Sequence, residues 1–151
     1  LAALGLDAAR AYAKIAPDSA HALHMPSHIF TRLGLWGDSI ASNIASAKSA
    51  VAQAQRLHGG GGAFDQLHAM DYLVYAYLQE ARDKSAQIVL EEQAAISQLD
   101  ENQFAAAYAF AASPARWALE RHEWKAAAAL EVRPCFLRMD VSKATFASPN
   151  V

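Results

Sequence analysis

The sequence predicts an all-α fold, and three observations carry that expectation. Alanine supplies about a quarter of the 151 residues, against 7 glycines and 5 prolines, and alanine is the strongest helix former while those two are the weakest. Apolar residues return at i, i+3, i+4 spacing almost everywhere. No segment alternates with period two for long enough to mark a strand.

The elements follow in order. Leu4, Ala8, Ala11, Tyr12 and Ile15 form the apolar stripe of a first helix from Leu1 to about Ile15. Pro17 stops it, and Asp18 or Ser19 can cap the next. That helix carries His21, Leu23, His24, His28, Ile29, Phe30 and Leu33, and ends near Gly34, glycine being a common terminator. A further helix runs from Trp36 to about Leu57 with Ile40, Ile44, Ala47 and Val51 as its stripe, and Gly59 to Gly62 make a flexible loop. Asp65 is placed to cap a helix through Leu67, Met70, Leu73, Val74 and Tyr77. After a weak turn at Arg82-Asp83, a helix spans Ser85 to about Ile96, and another Asn102 to Ala112. Ser113-Pro114 reads as a cap followed by a first helical proline, opening a helix to about Glu131 with a turn near His122. Periodicity fades beyond Pro134. The expected organisation is therefore a helical domain over 1–133 and an irregular or docking tail over 134–151.

Composition excludes several function classes. A chain of 16.3 kDa suits one domain. Its formal net charge of −2 offers no basic field for phosphate backbones, so nucleic acid is not an expected partner. The single cysteine, Cys135, cannot form an internal disulfide, and nothing supports it as a nucleophile. The longest apolar run, Phe104 to Ala112, falls short of the roughly 20 residues of a membrane span, and no signal peptide leads the chain. A soluble chain, cytoplasmic rather than exported, is expected. The glycine run lacks the Lys-Ser/Thr of a phosphate loop, and Met25 follows His24 where a metalloprotease helix needs Glu. No catalytic residue is assigned.

Internal repetition reshapes this reading. Pro26 precedes Trp36 by ten residues, and Pro114 precedes Trp124 by ten. Leu33-Gly34-Leu35-Trp36 with Ser39 matches Glu120 to Trp124 with Ala127, while Leu73, Tyr77, Ala81, Ala86 and Leu90 fit the same template. Large residues at template position 4 (Leu23, Met70) alternate with aromatics at 11 (Phe30, Tyr77) and 17 (Trp36, Trp124). Small residues stand at 8 (Ser27, Ala115), 20 (Ser39, Ala86, Ala127) and 27 (Ser46), where two helices must approach closely. The pattern resembles the tetratricopeptide repeat, a helix-turn-helix unit of about 34 residues. The stretch His21-Ala22-Leu23-His24-Met25-Pro26-Ser27-His28-Ile29-Phe30 is similar to one in uncharacterised bacterial TPR-like proteins. The resemblance implies a solenoid of about six or seven helices in antiparallel pairs, with Trp36 and Trp124 buried between them. It also implies a protein or peptide partner. On this template the chain begins in the second helix of a unit, so it is expected to be a fragment, and its apolar ends favour a homodimer.

The candidate site lies on the first helices of the units. His21, His24 and His28 occupy template positions 2, 5 and 9, which the resemblance assigns to a ligand-binding concave groove. His68, Asp71 and Tyr75 hold the same three positions in the second unit, and Arg116 holds position 9 in the third. Three roles fit this set: a polar network that stiffens the fold, a groove for a peptide or small anion, or a metal site. The metal set would be His24, His28, His68 and Asp71, with zinc as the cofactor. The anionic or peptide ligand is preferred, and no cofactor is expected in that reading. Pro26 is expected to kink the helix, and a fresh helix start there would swing His21 and His24 away from His28.

Overall fold

The computed structural model describes residues 1–99 and 104–131, with side chains from 106 onward in the second stretch. The 134–151 tail, Cys135 and the helix start at Asn102 lie outside the described residues. A short 3₁₀ turn, Ala2–Gly5, precedes α1 (Leu6–Tyr12), α2 (Ala20–His24), α3 (Pro26–Arg32) and α4 (Trp36–His58). The series continues with α5 (Phe64–Gln79), α6 (Asp83–Ala95), α7 (Phe104–Glu120) and α8 (Trp124–Ala128). The protein is all-α: α2 and α3 form one kinked helix, which makes seven helices, and no strand occurs among the described residues. A lone β-bridge joins Gly62 to Leu99.

Helix α5 is the axis of the core, because apolar residues cover most of its circumference. It buries Leu67, Met70, Leu73, Val74, Tyr77 and Leu78 against α4, α6 and α7. Those neighbours contribute Ile40, then Ala86 and Val89, then Ala106, Ala109 and Phe110. Three corners share one backbone. Gly34, Ala81 and His122 take positive φ of 69°, 54° and 55°, and each turn closes a bond five residues back: Leu35 to Phe30, Arg82 to Tyr77 and Glu123 to Ala118. This is the Schellman ending, and the next helix follows at once. The chain thus repeats a helix–corner–helix unit.

Several elements depart from the expected pattern. The first helix stops at Tyr12 and buries only Ala9, leaving Leu4 and Ile15 exposed, because no neighbour covers its expected stripe. In α4 the face turned inward is Ser39, Asn43, Ser46, Ala50 and Ala54, with Ile40 at its edge, while Ile44 and Val51 point outward. The reason is close approach of α2. Hydroxyls of Ser42, Ser46 and Ser49 donate to the carbonyls of Leu23, Ala20 and Asp18, and larger side chains would push the helices apart. Asp65 lies in the first turn of α5 without capping it, whereas Ser19 does cap α2. The break at Ser113-Pro114 does not occur. Helix α7 runs through Pro114, because Ser113 and Arg116 face Asp71 on α5 and tertiary contacts outweigh the local signal. Trp124 is 61% exposed and stacks on His122 at 5.4 Å, since five-residue α8 buries nothing. Trp36 is only partly buried, at the rim of the core. No helix among the described residues is long and apolar enough to cross a membrane.

The loop between α4 and α5 is pinned at Gly62, whose N–H donates to the Gln98 carbonyl at 2.8 Å. A Cβ there would stand 2.5 Å from Ile96 Cγ2. Gly62→Ala is therefore expected to cost about 1–3 kcal/mol through overpacking, read as a lower urea midpoint at unchanged slope.

Candidate functional site

Pro26 lacks an N–H and ends α2, yet Met25 keeps helical dihedrals of −52° and −37°. The helical backbone therefore carries on through the kink, and His24 and His28, four residues apart, remain on one side. Their Nε2 atoms stand 3.1 Å apart. His68 comes from the second turn of α5, its ring centroid 4.3 Å from that of His24. The nitrogens that these three imidazoles offer all lie within 4.8 Å of one another. Phe64, one turn earlier on α5, stacks on His68 at 5.6 Å.

Hydrogen bonds fix the tautomers. Asn43 Nδ2 donates to the Ser39 carbonyl at 2.8 Å, so its Oδ1 faces His24 and accepts from Nδ1–H at 2.7 Å. The His24 Nε2 lone pair is then free to accept from Nε2–H of His28. That leaves His28 Nδ1 as an acceptor, satisfied by the Tyr72 hydroxyl at 2.8 Å. One directional chain results: Tyr72 to His28 to His24 to Asn43 to the backbone. Every member is neutral.

Burial enforces that neutrality. His24 is 2% exposed, and loss of hydration pulls its pKa down to about 4, against a smaller upward pull from Asn43. Burial also lowers His28 and His68, with repulsion among the imidazoles adding to it at His28. An imidazole held neutral cannot pair with an anion by charge, but it can ligate a metal.

The other expected groove residues take different places. Asp71 is buried, and both its oxygens accept from Arg116, with Oδ1 also receiving the Ser113 hydroxyl. It is committed to that bidentate pair rather than to the imidazoles. Tyr75 lies beneath the Arg116 guanidinium at 5.1 Å and meets Trp36 edge-on. His21 is exposed, 3.9 Å from Asp65, and stands outside the cluster. Two residues of the cluster were missed from sequence, Asn43 and Tyr72. Both left a signal: Asn43 sits in the i, i+4, i+7 polar stripe Ser39, Asn43, Ser46, and Tyr72 lies one turn after His68.

Beside the imidazoles opens a cleft of about 340 Å³, lined by His68, Tyr72, Tyr75, Tyr108 and Arg116 together with Thr31 and Asp71. His68 and Tyr72 belong to both features, so the cleft gives onto the cluster. Compared with known proteins, the chain matches no family model, no curated protein and no solved structure.

Proposed function

We propose that this protein binds a first-row transition metal, zinc foremost, through His24, His28 and His68. The observation that carries the reading is the convergence of three imidazole nitrogens within 4.8 Å. Two tetrahedral zinc ligands at 2.0–2.1 Å stand roughly 3.3 Å apart, and the His24–His28 separation of 3.1 Å is close to that. The outer partners also suit a metal. Asn43 already holds the His24 Nδ1–H, leaving Nε2 as the donor, which is the usual way a second residue orients a ligating histidine. His28 must move its proton from Nε2 to Nδ1, where the Tyr72 oxygen can accept it. Three protein ligands leave a fourth position open, the arrangement of catalytic rather than closed structural zinc sites.

The metal is preferred to an anion held by charge alone for a physical reason: the imidazoles are neutral, and the Arg116 guanidinium is paired with Asp71. The repeated helix–corner–helix unit supports a TPR-like pairing of α3 with α4, α5 with α6 and α7 with α8, with a protein partner as a further proposal. After zinc loading and desalting, elemental analysis is expected to return about one zinc per chain. His68→Ala, on a half-exposed position, should lose it while keeping the helical spectrum. Full retention of zinc by that variant, or none in the parent, overturns the reading.

A further inference from the structure

The metal site comes with its own demand for an anion, and the cleft beside it says which kind. Three ligating imidazoles are neutral donors, so a divalent ion on them keeps its full charge of two in a partly buried place. The nearest carboxylate facing the cleft, Asp71, is already balanced by the bidentate Arg116 pair. Asp65 acts on His68 at a distance, but it is turned toward His21 and does not line the cleft. A charge left uncompensated in low dielectric is costly, so the open coordination position favours an anionic occupant.

The walls select its body. Tyr72, Tyr75 and Tyr108 line the cleft, and three phenol rings give flat apolar surfaces suited to another flat group. At about 340 Å³ the space is at the small end for an organic ligand. The walls carry hydrogen-bond donors in the phenol hydroxyls and in Arg116. Arg116 commits Nε and Nη2 to Asp71, and the Thr31 hydroxyl is bonded to Ser39. A carboxylate is coplanar with the ring that carries it and needs only the metal and one donor, whereas a tetrahedral phosphate would stand out of the plane that the flat walls favour.

We infer that the metal-loaded protein takes a small aromatic carboxylate, its carboxylate oxygen on the metal and its ring among Tyr72, Tyr75 and Tyr108. This rests on the metal reading above. The test uses the full chain loaded with cobalt, whose visible absorption reports its coordination, and titrates benzoate, acetate and benzamide as probes. Benzoate is expected to change the spectrum saturably and to bind about ten-fold tighter than acetate, and benzamide to leave it unchanged. Tyr108→Ala, at an exposed position, should erase the advantage of benzoate while cobalt stoichiometry stays the same. Equal response to acetate and benzoate, or none to either, overturns the inference alone. A chain that binds no cobalt overturns the metal reading, and this one with it.

Discussion

Asn43→Ala is expected to destabilise the fold by about 2–4 kcal/mol, from a donor left bare and a small cavity. Asn43 is fully buried and accepts from His24 Nδ1–H at 2.7 Å while tying itself to Ser39. Its loss orphans a ring N–H at a place that water does not reach. It also frees the His24 ring to rotate, so zinc affinity should fall about 10–100-fold, as it does when an outer partner of a ligating histidine is removed. Asn43→Asp keeps an acceptor for the ring and should recover most of the zinc affinity. Urea titration and a zinc competition assay on the three proteins check this. An alanine variant that melts with the parent would show that the buried chain contributes nothing.

The second large effect is on pH. His24 has a folded pKa of about 4 against 6.5 unfolded. Between those values the unfolded chain binds more protons, so stability rises with pH across the window. The contribution is complete above pH 6.5 and disappears as pH falls through 4. Its full size is about 3 kcal/mol, at 1.36 kcal/mol for each pKa unit. His28 and His68 are lowered in the same direction, but solvent reaches both, and they add less. Denaturant midpoints for the parent and His24→Gln at pH 4.5 and 7 isolate the His24 share, because the carboxylates are common to both proteins. The parent should lose markedly more on acidification. Identical losses would mean that His24 is not held neutral by burial.

Much of the helical layout is legible in the sequence, and the exceptions have a common cause. The ends of α4, α5 and α6 lie within a few residues of where Gly59, the glycine loop and Arg82-Asp83 place them, because those signals are local. The inward face of α4 is not legible in that way. Ile44 and Val51 look like core by hydropathy, yet Ser42, Ser46 and Ser49 win the interface because α2 offers carbonyls at short range. Pro114 reads as a helix start until Asp71 on another helix is known to hold both Ser113 and Arg116. The corner at Ala81 is a further case, since its left-handed turn is set by the fold and not by a glycine. At the site, helix spacing groups His24 with His28, and the repeat template read in the sequence adds His68 from the next unit. Asn43 and Tyr72 depend on which helices face each other, which spacing along the chain does not encode. Protonation depends on burial, and so the sequence reading favoured an imidazolium groove where the fold makes a neutral one.

The most direct measurement is a long-range proton–nitrogen NMR correlation of the imidazoles, recorded before and after one equivalent of zinc. Before zinc, His24 should show its proton on Nδ1 and His28 on Nε2, as the chain from Tyr72 to Asn43 requires. With zinc, the Nε2 signals of His24 and His28 should both move to metal-bound positions, and the His28 proton should appear on Nδ1. His68 should shift with them, while His21, His58 and His122 stay where they were. Zinc shifts confined to those last three, or an unchanged proton on His28 Nε2, would contradict the account.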